Sequence, residues 1–272
     1  MKVIDCFIYF DEDLLLDLRL NLLNSIVDKF VIVESKITHS GKNKDLQFDI
    51  SKFEKFKNKI SYHALENMNV DENIKLKKNW SKFHLVDQSI RNSIANFISF
   101  ASEDDWIIIS DLDEIPNPEV ITKFDKKRKY GFFEQGLYNY KFNLKNITEP
   151  FWYGSRICVR KHLKSPQWLR NFKIKKNQNL IKKLFYNFQI LKNGGWHFNS
   201  IKSPKDLIRK FKSFAHSEMI NNQMLNIDFI ENKISNYEHI LNDKVILNKV
   251  DLDSSFPEYL LKNKQKFKEF II

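Results

Sequence analysis

Trp106-Ile107-Ile108-Ile109-Ser110-Asp111-Leu112-Asp113-Glu114-Ile115-Pro116 is the stretch that decides the fold. Three consecutive isoleucines predict a strand buried on both faces, as in a parallel sheet covered by helices. The apolar run ends at Ser110, and Asp111 and Asp113 follow with one spacer. In open α/β sheets, ligands bind outside the carboxyl ends of the strands. Two carboxylates delivered there suit a divalent cation held against a diphosphate, because hard cations take oxygen ligands. The pattern also fits a polar turn at a strand end, or a phosphatase with an aspartate nucleophile. Such phosphatases place Thr or Val two residues after the second Asp, near the N-terminus. Here Ile115 takes that place, mid-chain.

Working outward, the chain before this strand alternates strand and helix. Lys2–Phe10 predicts a first strand, and Asp11-Glu12-Asp13 opens a helix with Leu15, Leu18, Leu22 and Ile26 on one face. Phe30–Glu34 predicts a second strand, which completes a unit of βαβ size. Ile60–Leu65 predicts a third strand, and Lys82–Ser102 a long helix with Ile90, Ile94, Phe97 and Ile98 on one side. Beyond the aspartates the pattern is less regular. A short helix is expected over Pro118–Lys127, a long strand or hairpin over Gly131–Leu144, and a strand over Tyr153–Arg160. Asn193-Gly194-Gly195 predicts a turn. Ser203-Pro204 predicts a helix start running to about Phe214, followed by one or two C-terminal helices. The expected fold is a single α/β domain.

Composition narrows the function classes. The 272 residues are 42% hydrophobic, ordinary for a chain with a sizeable core. The two cysteines, Cys6 and Cys158, form no CxxC, so no metal cluster or disulfide framework is implied. The start has no long apolar region, and the longest stretch free of Asp, Glu, Lys and Arg is Asn92–Ser102. A bilayer span needs about 20 apolar residues. The expected setting is therefore cytoplasmic, with peripheral contact at the inner face of a membrane as one option. Net charge is +11, and residues 121–192 hold 18 Lys+Arg against 3 Asp+Glu. That block points to an anionic partner, such as a phosphorylated substrate or an acidic membrane surface, or to a solvated face of a Lys-rich chain.

Three further groups carry chemistry. Glu34 ends the second strand, where a carboxylate can accept hydrogen bonds from a ribose or base. Arg91-Asn92 lies on the helix before the Asp strand, and Arg suits a bidentate grip on phosphate. Gly194-Gly195-Trp196-His197-Phe198 offers close backbone approach, an aromatic platform for a sugar and an imidazole. Downstream, His216 is a candidate metal or diphosphate contact and Glu218 a candidate general base.

Together and in this order, these stretches resemble glycosyltransferase family 17, which includes the β-1,4-mannosyl-glycoprotein 4-β-N-acetylglucosaminyltransferase type. The resemblance is carried by Val3–Phe10, Phe30–Lys42, Arg91-Asn92, Ile107–Pro116, Gly194–Phe198 and Lys212–Glu218. It implies a glycosyltransferase A-type domain with a Rossmann-like, mostly parallel sheet. Residues 1–116 would bind the nucleotide sugar, 117–220 would serve acceptor and catalysis, and 221–272 would form a helical end. It implies a UDP-sugar donor, GlcNAc first, transferred with inversion into a β-linkage. Mn²⁺ or Mg²⁺ would be held by Asp111, Asp113 and His216, with Asp111 also near the ribose. Glu34, Arg91, Asn92, Gly194, Gly195, Trp196 and His197 would line the donor site. The general base would be Glu218, with Glu114 and Glu134 as alternatives. Without a visible anchor, the chain looks like a bacterial or viral-type member acting on a glycan or lipid-linked acceptor, with residues 121–192 available to an anionic membrane and no nucleic acid expected. Two other classes remain: a nucleotide-sugar pyrophosphorylase, although no glycine-rich loop follows the first strand, and a non-catalytic glycan- or anion-binding protein.

Overall fold

The computed structural model describes residues 1–38, 41–66, 82–173, 186–212 and 220–272. Strands β1 (Val3–Ile8), β2 (Lys29–Ser35), β3 (Ile60–Leu65) and β4 (Trp106–Asp111) alternate with helices α1 (Asp13–Leu23) and α2 (Lys82–Phe97). All four strands are parallel, in the order β3-β2-β1-β4. The chain builds outward from β1 to β3 and then places β4 on the other side of β1. That reversal opens a crevice at the carboxyl ends of β1 and β4, and Asp111 is the last residue of β4.

The second half extends the same sheet. It contributes β5 (Glu114–Pro116), β6 (Tyr130–Asn139), β7 (Leu144–Asn146), β8 (Phe151–Val159), β9 (Phe188–Asn199) and β10 (Leu247–Lys249). β8 runs antiparallel between β4 and β6, and β9 runs parallel to β6. Among the described residues the sheet has ten strands. The α/β expectation agrees with this architecture; the sheet is mixed rather than mostly parallel, and one antiparallel strand, β8, separates its two parallel regions.

Helices α3 (Pro118–Ile121), α4 (Pro166–Asn171), α5 (Pro204–Lys212), α6 (Ile227–Ser235), α7 (Glu258–Lys262) and α8 (Lys264–Phe267) complete the described α-helices, beside short 3-10 turns. One face of the sheet packs Phe7, Phe30, Ile108 and Ile157 against Leu15, Leu16 and Leu18 of α1. The other packs Ile4, Val31, Ile107 and Ile109 against Val86, Ile90 and Ile94 of α2 and Leu169 of α4. Burying each such side chain contributes about 1.5–3 kcal/mol relative to exposure. The C-terminal residues return to the first face, where Phe256, Leu260 and Phe267 are buried. Asn143 fixes that return by donating to the Ile272 carbonyl at 2.6 Å and accepting the Ile272 N–H at 3.0 Å. No helix among the described residues is long and apolar enough to cross a membrane.

Four expectations change. The helix expected over Lys82–Ser102 ends at Phe97, and a turn closed by the Ala101 N–H on the Ile98 carbonyl follows. The helix expected over Pro118–Lys127 stops at Ile121, and Asp125 caps a turn by accepting the Lys127 N–H at 2.9 Å. The C-terminal part contains a strand, β10, besides its helices, because β7 offers it an edge. Asn193-Gly194-Gly195 is not a turn between elements but lies within β9. Between Leu191 and Gly195, β9 advances four residues while β6 advances two, from Phe133 to Gln135. The extra residues form a bulge, with Asn193 at φ 51° and Gly195 at φ 128°.

Candidate active site

The turn after β4 is built around a residue beneath it. Arg19 of α1 is fully buried and grips Asp5 of β1 bidentately, at 2.8 and 2.7 Å. Its remaining donors reach Ser110 Oγ at 2.5 Å and the carbonyl oxygens of Asp111, Leu112 and Glu114 at 3.0–3.1 Å. The planar guanidinium thus fixes the path of the Asp-Leu-Asp-Glu backbone.

The two aspartates have different surroundings. Asp111 receives Arg91 Nη2 on Oδ1 at 2.9 Å and Arg170 Nη2 on Oδ2 at 2.8 Å. Burial by itself would raise its pKa, but Arg170 and then Arg91 hold it far below the usual carboxylate range. Arg91 is further bound to Asp87 and to Gln167 Oε1, and Asn92 Oδ1 accepts the Gln167 N–H at 3.0 Å. Asp113 faces His197 Nε2 at 3.6 Å. Burial opposes ionisation of both groups, yet each favours the other's charged form, so Asp113 is lowered and His197 raised. Asp113 is therefore an ionised carboxylate with a loose partner, while both oxygens of Asp111 are in use.

Glu114 is 1% exposed. Its carboxylate accepts the Asp111 N–H at 3.0 Å, Trp152 Nε1 at 2.7 Å and Arg170 Nη2 at 2.7 Å. It is a brace for the turn, which argues against the expectation that it serves as a base. Gly154 leaves it room: a Cβ there would lie 2.5 Å from the Glu114 carboxyl carbon.

β9 brings His197 to the turn by pairing with β5, Glu114 opposite His197 and Pro116 opposite Gly195. Gly195 allows this contact, since a Cβ would collide with the Ile115 carbonyl oxygen. The close approach expected of Gly194 and Gly195 is thus to protein backbone, not to a ligand. Trp196 also departs from expectation. It is 7% exposed in the core, stacks on Phe198 and donates to the Ser255 carbonyl at 3.0 Å. Alternation along β9 turns Trp196 inward when His197 faces the site. The aromatic at the site is Trp152, 37% exposed and 5.6 Å from the His197 ring.

Glu34 departs from expectation too. It is buried, and it accepts Lys44 Nζ, the Gln47 and Phe48 N–H groups and Tyr62 OH. Four protein donors commit it to holding the 44–48 segment. His216 and Glu218 lie outside the described residues. Glu134 lines a cavity of about 630 Å³ with Trp152, Tyr153, Arg156 and Arg170, and accepts Tyr153 OH at 2.7 Å. A smaller cavity of about 280 Å³ lies between α2 and α4, lined by Arg91, Asp111, Gln167 and Arg170. Arg170 and Asn171 line both cavities.

Among the described residues, no three His, Cys, Asp or Glu side chains cluster closely enough to hold a metal by themselves. Mg²⁺-type ions commonly take one or two carboxylates plus substrate phosphates. Asp113 fits that role, and Asp111, clamped by two arginines, fits it poorly. Arg19, Arg156, Arg170 and Trp152 were not singled out from sequence. One signal was present: Asp5 and Arg19 are opposite charges, each inside an apolar element, and Arg156 interrupts an apolar strand.

The family model described as Glycosyltransferase family 17 matches residues 1–271. No curated protein matches the chain by sequence. Among solved structures, that of the inositol-1-phosphate CTP transferase from T. maritima is similar at a TM-score of 0.35 and 10% identity, covering 100% of this chain and 98% of that one.

Proposed function

The chain belongs to glycosyltransferase family 17, and from that premise we propose that it moves a sugar, GlcNAc first, from a UDP-sugar to a glycan or lipid-linked acceptor with inversion. The observation that carries this reading is the split of the Asp111-Leu112-Asp113 turn at the strand-order reversal. Asp111 is locked between Arg91 and Arg170 at 2.8–2.9 Å, while Asp113, 20% exposed, has a looser partner in His197 at 3.6 Å. The donor diphosphate would seat against Arg170, which uses Nη2 on Asp111 and Glu114 and lines both cavities. Asp113 would hold Mn²⁺ or Mg²⁺ against the same phosphates, and the ion when bound would offset charge on departing UDP.

The acceptor would enter the larger cavity, where Trp152 presents a ring face to a sugar. Glu134 is the candidate base among the described residues, because it lines that cavity and Glu114 is fully engaged. It would take the acceptor hydroxyl proton as that oxygen bonds to the anomeric carbon and the bonding pair leaves with UDP. His197, held by Asp113, would keep the turn positively balanced.

The test is UDP release from a panel of UDP-sugars, with and without Mn²⁺, beside pyrophosphate release from UTP and sugar phosphates. Metal-stimulated UDP release is expected. Pyrophosphate release alone would make the protein a pyrophosphorylase, and no release of either would leave a binding protein.

A further inference from the structure

Arg156 of β8 lies opposite Ile109 of β4 and Phe132 of β6, with 7% of its surface exposed. Its Nη1 donates to the Gly154 carbonyl at 3.2 Å, and its buried Nε has no hydrogen-bond partner. Among the described residues, no carboxylate forms an ion pair with it. Buried arginines are ordinarily paired, because desolvating an uncompensated charge is costly. The neighbouring acids are in use: Asp111 is held by Arg91 and Arg170, and Glu114 by Arg170 and Trp152. Two further acids line the same cavity: Glu134, capped by Tyr153, and Glu149, which forms no ion pair with Arg156 among the described residues. Burial, and then the charge of Arg170, push the Arg156 pKa down to about 9 against the opposing pull of Glu114 and Asp111.

Arg156 lines the larger cavity beside Phe151 and Trp152, which are 55% and 37% exposed. Exposed ring faces next to an unpaired guanidinium match a sugar bearing one negative group. We propose that this cavity binds an acceptor carrying an anionic group, a carboxylate or a phosphate, seated on Arg156. The proposal rests on the transferase reading above. A neutral glycan would leave the positive charge without an anion in contact.

Titration calorimetry on the full chain tests it with matched probes: methyl glucuronide against methyl glucoside, and mannose 1-phosphate against methyl mannoside. In at least one pair the anionic probe should bind at least about tenfold tighter, the scale of a charge-assisted hydrogen bond. Preference in the first pair alone assigns an acidic sugar; preference in the second alone assigns a phosphorylated one. Arg156→Met should erase the preference. If that variant does not fold, Arg156→Lys decides: a reduced preference supports the proposal, an unchanged one overturns it. Equal binding within both pairs, or a preference that survives Arg156→Met, also overturns it. UDP release in the same preparations separates the two readings. Absence of release from any donor removes the transferase reading, whereas the titration reads the anion preference without turnover.

Discussion

At the scale of residues, the site depends on which charges are satisfied. Arg19 uses its donors on Asp5, Ser110 and three carbonyl oxygens of the turn. Removing it would strand Asp5, whose side chain is 0% exposed. Arg19→Met should therefore cost about 3–5 kcal/mol in denaturant unfolding, as for one partner of a buried pair. Arg19→Lys should not restore it, because an ammonium cannot reproduce the planar fork. A loss under about 1 kcal/mol, the worth of a surface pair, would contradict this role. Asp111 and Asp113 were legible in the sequence because they end an apolar run. Their division of labour was not, since it depends on Arg91 from α2 and Arg170 from α4. Trp196 misled for a related reason: glycine before tryptophan suggests an open platform, but strand alternation turns the ring inward.

At the scale of elements, β9 decides the site. β9 pairs with β6 from Phe188 to Asn199 and, past its bulge, takes β5 on its other edge, which sets His197 opposite Glu114 and beside Asp113. Gly195 permits this through φ 128° and the absence of a Cβ facing Ile115. Gly195→Ala should destabilise by about 1–3 kcal/mol, the usual cost of a side chain in such a backbone region. It should also lower UDP release by displacing His197. Melting and turnover both at wild-type levels would show that β5 and β9 tolerate the change. The parallel strands were legible because strands buried on both faces read as continuous apolar runs. The bulge was not, because Asn193-Gly194-Gly195 has turn chemistry, and only pairing with two partners keeps it inside a strand.

At the scale of the whole molecule, the sheet serves two tasks from one turn. The parallel strands supply the crevice at the reversal beside β1, and the antiparallel extension supplies the wall that carries Trp152 and Arg156. The C-terminal residues close the opposite face through Phe256, Leu260 and Phe267. This return was not legible, since its contacts join residues far apart in the chain. The basic character of 121–192 was legible as a request for an anion, and Arg156, Arg170 and Lys173 are the part of it that lines the larger cavity. The central claim is that Asp113, not Asp111, faces the donor's metal and diphosphate. It is tested most directly by titrating UDP with and without Mn²⁺ into wild type and Asp113→Asn, with melting curves of both. Mn²⁺ should tighten UDP binding to wild type by at least about tenfold, or 1.4 kcal/mol. Asp113→Asn should lose that gain while remaining folded, and a variant that keeps the full Mn²⁺-dependent gain would contradict the account.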